Sequence, residues 1–157
     1  VSYRKANIQI VAIKQIAPKI TLKAGVRGQY SSDLLPTTER FALGGEGAGL
    51  AYRFGVLTAD KAIAADVEAS ARIIGTASSA RGASVFTYID GAAARSYARP
   101  LYGLMGTNFS LASVGGGLRV NPAKGWTATA QVAMPVKEPA AGFGKKARAF
   151  FSITRSI

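Results

Sequence analysis

Ala62-Ile63-Ala64-Ala65-Asp66-Val67-Glu68-Ala69-Ser70-Ala71-Arg72-Ile73-Ile74 decides the fold class. Its odd positions from Ile63 to Ile73 are all apolar, and its even positions include Asp66, Glu68, Ser70 and Arg72. Side chains alternate across a strand with a period of two, so this stretch has one greasy face and one wet face. Ile20-Thr21-Leu22-Lys23-Ala24-Gly25-Val26-Arg27-Gly28-Gln29-Tyr30 reads the same way, with Thr, Lys, Gly, Arg and Gln on its second face. Five further segments follow the pattern less cleanly: 6–14, 83–95, 109–120, 126–136 and 147–155. Between them lie short turn signals at Ala17-Pro18 and Asn121-Pro122-Ala123-Lys124-Gly125, and longer Gly-rich connections around 43–59 and 96–108.

Strands of roughly nine or more residues, joined by alternately short and long connections, fit an antiparallel transmembrane β-barrel. A soluble β-sandwich or small barrel also alternates. A soluble sheet, however, packs large branched side chains on its buried face, and the apolar faces here hold many Ala and Gly. Several charges on the polar face of a single strand also suit a water-filled lumen better than a packed core. Tyr3, Tyr30, Trp126 and the Phe150-Phe151 pair fall at or near strand ends, where membrane barrels carry aromatic girdles.

Composition narrows the function. Apolar residues are 48% of 157 and the mean hydropathy is +0.16, so they are diluted rather than pooled. No run approaches the roughly 20 apolar residues of a membrane helix. The chain has no Cys and no His, which removes disulfides, thiolate metal sites and the common His-dependent hydrolase mechanisms. The reading is therefore not an enzyme, and it expects no cofactor and no metal. The net charge of +12 is spread along the chain in short pairs such as Arg4-Lys5 and Lys145-Lys146. That spread fits a basic lumen or anionic lipid better than a focused nucleic-acid patch, so no nucleic-acid partner is expected. The chain opens on Val1 without a starting Met or an apolar signal region, as a mature chain or a fragment does.

Ordered motifs then carry a resemblance. Gly28-Gln29-Tyr30-Ser31-Ser32-Asp33-Leu34-Leu35 is followed by Glu39-Arg40-Phe41-Ala42-Leu43-Gly44-Gly45. Next come Gly49-Leu50-Ala51-Tyr52-Arg53-Phe54-Gly55, Ala59-Asp60 and Val67 to Arg72. Later stretches are Phe86-Thr87-Tyr88-Ile89-Asp90-Gly91-Ala92, Leu111-Ala112-Ser113-Val114-Gly115-Gly116-Gly117-Leu118-Arg119 and Ala133-Met134-Pro135. In this order they resemble the C-terminal barrel half of two-partner secretion transporters, the hemolysin secretion/activation proteins, whose superfamily includes the barrel-assembly insertases. The resemblance runs from about Ala6 to the end. The letters drift in places: Leu50 stands at the family's loop arginine, Ala92 replaces a glycine, and Ile157 ends the chain where the family has an aromatic residue.

The resemblance implies seven or eight strands of a sixteen-stranded, monomeric barrel in the outer membrane of a Gram-negative bacterium. Residues 1–157 would be a C-terminal part of it, with a loop over about 43–59 folding inward from Gly44, Gly45 and Gly49. It implies export of an unfolded partner of hemolysin or adhesin type without ATP, with outer-membrane lipid around the barrel. The loop would be latched by Tyr52 and Arg53 against Tyr88 and Asp90, because a guanidinium and a carboxylate form a charge-assisted pair. With Leu50 unable to donate, Arg53 is the expected donor, Asp90 the acceptor, and Tyr88 a brace for the loop backbone. Asp66 and Glu68 read as lumen wall charges balanced by Arg72, Lys23 and Arg27 rather than as an acid–base pair. Gly115, Gly116 and Gly117 read as a strand bend or a close backbone approach, not a phosphate cradle. The competing reading is a small structural or adhesive barrel of about eight strands.

Overall fold

The computed structural model describes residues 2–75, 81–139 and 146–156. Val1, Lys145 and Ile157 lie outside the described residues. The protein is all-β, and its main element is one antiparallel sheet of seven strands. In chain order these are β1 (Lys5–Ala17), β2 (Ile20–Ser31), β5 (Lys61–Ile74), β6 (Gly82–Ser96), β7 (Thr107–Asn121), β8 (Trp126–Lys137) and β9 (Arg148–Arg155). Each pairs with its neighbours in that order. The missing numbers belong to a two-stranded ribbon, β3 (Phe41–Leu43) and β4 (Leu57–Ala59), set within the connection between β2 and β5. All seven strands lie where period-two alternation places them. The ribbon is too short, at three residues a strand, to announce itself by alternation.

Register fixes which side chains share a face. Ala12, Ala24, Val67, Ile89, Val114 and Met134 form one row across six strands, each directly opposite the next. One residue along, Val11, Gly25, Asp66, Asp90, Ser113 and Pro135 form the row on the opposite face. Over its middle strands the second face is covered by the ribbon and its connecting loop, while Val11 on β1 stays exposed. There Leu43, Ala48, Leu50, Ala51 and Tyr52 join Phe86, Tyr88, Ala92, Ala94 and Leu111 in one buried cluster.

The first face is bare. Ile63, Ile89 and Met134 are each more than half exposed. On it the charged residues of the described strands are Lys14, Lys61, Arg95, Lys137 and Arg155, all at or near strand ends. On β5 this face stays uncharged from Ile63 to Ile73, a length of roughly 34 Å at about 3.4 Å per residue. Tilted by about 45°, it would cover about 24 Å, close to the roughly 25 Å apolar band of a membrane barrel. With seven strands about 4.8 Å apart, the bare face approaches ~1,000 Å², well above the few hundred Å² usual for soluble monomers. The connections also sort by end. Pro18–Lys19 and Pro122–Gly125 turn tightly at one end, and the longer runs 32–60 and 97–106 gather at the other.

Candidate functional site

The loop between β3 and β4 lies across β5, β6 and β7, and glycine makes its path possible. Gly44, Gly45, Gly47 and Gly49 have φ of 88°, 79°, 69° and 104°, a region that side chains with a Cβ rarely enter. Gly44 and Gly45 start the fold-back: their N–H groups donate to the carbonyls of Ala48 and Gly49 at 2.8 and 3.1 Å. A Cβ at Gly49 would collide with Leu111 beneath it, so close approach to the sheet also requires glycine there.

Asp90, at the centre of β6, is where the sheet holds this loop. Its Oδ2 accepts the backbone N–H groups of Gly49 (3.1 Å) and Leu50 (2.8 Å). Its Oδ1 accepts the hydroxyl of Ser113, the residue opposite it on β7. Ser113 Oγ in turn accepts the N–H of Ala51 at 3.3 Å. Three consecutive loop amides are thus met by one buried carboxylate and one buried hydroxyl. From the other side, Arg27 Nη2 on β2 donates to the carbonyl of Glu46 at 2.5 Å. Tyr52 is buried, and its hydroxyl donates to the carbonyl of Lys137 at the end of β8, 2.9 Å away.

Arg53 is not the latch donor. It is exposed, and its side chain has no hydrogen bond or salt bridge among the described residues. The physical reason is that Leu50, at the loop's closest approach, buries its side chain and turns its amide to the carboxylate. Main-chain dipoles therefore fill the place a guanidinium would take. Tyr88 also departs from expectation. Its hydroxyl is buried without a partner among the described residues, so it does not bond the loop backbone. It acts through its ring, which stacks with Phe86 at 6.4 Å and occupies the space left by Gly115 opposite. Glu68 pairs with Arg119 on β7 at 3.1 and 3.3 Å, not with Arg72, Lys23 or Arg27. Gly117, opposite Phe86, would drive any Cβ into the carbonyl of Ala130, which supports the reading of this glycine run as close backbone packing.

A second buried carboxylate went unassigned in the sequence. Asp60, just before β5, is fully buried at the long-loop end. It accepts the N–H groups of Leu35 (3.0 Å) and Tyr97 (2.8 Å) and both Nη groups of Arg99 (3.2 and 2.7 Å). Arg40 Nε stands 3.9 Å away, and Arg40 Nη2 donates to the carbonyl of Thr58 at 2.7 Å. Burial pushes the Asp60 carboxyl up. The Arg99 hydrogen bond, the two amides and the Arg99 charge outweigh it and hold the group below its ordinary value. Burial, then the adjacent Arg99 charge, lowers the Arg40 guanidinium despite the pull of Asp60. This hub ties segments 35–40, 58–60 and 96–99 together at one rim.

No protein-family model matches the chain, and no curated protein matches it. Among the described residues no group of three or more acidic side chains could hold a metal ion. No described helix is long and apolar enough to cross a membrane, which leaves crossing by strands untouched.

Proposed function

We propose that this chain is part of an outer-membrane β-barrel that passes an unfolded partner protein to the cell surface, with residues 44–56 as an internal lid. The observation that carries the reading is the contrast between the two sheet faces. One is a broad, exposed apolar surface whose charges sit at strand ends. The other carries charge and holds a folded-back loop through Asp90, Ser113 and Arg27. A loop held by a few hydrogen bonds to charged side chains is closed but releasable, since each such bond contributes only about 1.5–3 kcal/mol net. Folding of the cargo outside the cell would then drive export without ATP.

The proposal extends to a sixteen-stranded, monomeric barrel of the two-partner secretion kind in a Gram-negative outer membrane, with a hemolysin- or adhesin-type partner. Among the described residues β1 pairs with β2 alone and β9 with β8 alone. Two open edges favour further strands joining the sheet over a small barrel closed on itself.

Planar-bilayer conductance of the complete gene product tests the lid. Asp90→Ala is expected to raise the open fraction severalfold, and Arg53→Ala to leave it at the wild-type level. A channel indifferent to Asp90→Ala would overturn the lid assignment. Val67→Arg, at the middle of the bare face, tests membrane exposure. It should cost about 2–4 kcal/mol in refolding into bilayers; a neutral result would place that face in water.

A further inference from the structure

On the bare face, toward the long-loop end, a groove of about 770 Å³ crosses five adjacent strands from β1 to β7. In each strand it takes three consecutive residues, and the outer two of every three belong to the bare face. Small residues line it: Ala93, and Gly28, where the Cγ2 of Ile8 stands 3.0 Å from the place a Cβ would take. Its upper rim is polar and positively charged. Lys61 and Arg95 lie directly opposite each other on β5 and β6, and Asn108 faces Arg95 on β7.

Two like charges in adjacent register repel and are destabilising unless an anion lies between them. Neither has an acidic partner among the described residues, and the groove has no acidic lining. Lys61 Nζ rests 5.7 Å from the ring centroid of Tyr30, which places the ammonium at the boundary between an aromatic girdle and water. At the opposite end Trp126 and Arg155 form a comparable pair, with the guanidinium 5.4 Å from the ring centroid, but no second cation faces Arg155 in the register. The long-loop end therefore has an apolar slot with Lys61, Arg95 and Asn108 in neighbouring register at its rim, the Arg95 guanidinium 5.9 Å from the Tyr97 ring centroid.

We infer that this groove is a specific site for an anionic lipid of the leaflet on the long-loop side. The lipid's phosphate sits between Lys61, Arg95 and the Asn108 amide, and an acyl chain lies over Gly28 and Ala93. A phosphate oxygen accepts from all three donors, and the guanidinium offers it two parallel N–H groups. The inference rests on the membrane reading of the bare face and adds a lipid preference to it.

The test uses the complete gene product in mixed micelles, with native mass spectrometry counting retained phosphatidylglycerol against phosphatidylcholine. The wild type is expected to retain phosphatidylglycerol preferentially. Each basic group near an anionic headgroup contributes roughly a factor of five, so Lys61→Gln with Arg95→Gln should cut that preference about thirtyfold. Arg155→Gln, at the other end, should leave it unchanged. Ala93→Leu keeps both cations and fills the slot, and should also reduce retention. Heat-modifiability on gels confirms that each variant folds. Equal retention by the double variant would overturn the inference, as would equal binding of phosphatidylcholine or full competition by inorganic phosphate. A protein that stays in the aqueous phase and takes up no detergent would instead overturn the membrane reading itself.

Discussion

Asp60 and Asp90 are both buried carboxylates, yet they hold the chain in opposite ways. Asp60 is met by two guanidinium groups and two amides at the rim. Asp90 is met by two amides and a hydroxyl, with no cation in reach among the described residues. A carboxylate locked by buried charge comes apart only at high cost, because the cations it leaves behind are stranded. A carboxylate held by neutral donors releases them to water at a fraction of that cost. The rim hub is thus built as a permanent tie, and the Asp90 clasp as a releasable one, as the proposed lid would need.

Asp60→Ala is the hardest test of that difference. It strands Arg99 and Arg40 and should cost about 3–5 kcal/mol in global unfolding, measured by urea titration in bilayers. A loss no larger than that of Asp90→Ala would erase the distinction. Acidification should act on the same hub. Because the folded Asp60 carboxyl lies below its ordinary value of 3.8, its contribution is complete above that pH and disappears as pH falls through the folded value. The protection of the Leu35 and Tyr97 amides, taken relative to their intrinsic exchange rates, should therefore fall in acid, and Asp60→Asn should abolish that acid-dependent loss.

At the clasp, Asp90→Ala should cost about 1–3 kcal/mol, confined to the loop. Hydrogen exchange would show it as lost protection at Gly49 and Leu50 with β5 to β7 unchanged; loss of protection throughout those strands would make Asp90 a global tie after all. Asp90→Asn keeps a carbonyl acceptor for the loop amides, so it should cost about 1 kcal/mol and retain most of their protection. Arg53→Ala should fall within about 0.5 kcal/mol of wild type, as exposed substitutions do.

Much of this architecture is legible in the letters. All seven long strands follow from alternation alone, and the cleanest case, Ala62 to Ile74, is β5 (Lys61–Ile74) within a residue. The resemblance marked the fold-back at Gly44, Gly45 and Gly49, and all three, with Gly47 between them, take positive φ, which glycine enters at low cost. Asp90 was marked by the resemblance, as the acid of the Phe86 to Ala92 motif. What escaped reading was its counterpart. Gly49 and Leu50 contribute N–H groups, which every residue but proline possesses, so no letter announces them. Arg53 drew attention because a guanidinium is a conspicuous partner for a carboxylate, yet it lies exposed with no partner among the described residues. Ser113 and Arg27 were visible as strand residues, but their roles depend on which loop atoms pass above them.

The sequence alone determined which residues turn to which face, and hence one apolar surface and one polar one. That information is local, since a period of two is set by each residue's own backbone geometry. Only the tertiary structure decided that Asp60 would meet Arg99, thirty-nine residues away, and that Asp90 would meet the amide of Leu50, forty away. Those partnerships depend on the path of a glycine-rich loop through space and on peptide groups that carry no side-chain signature.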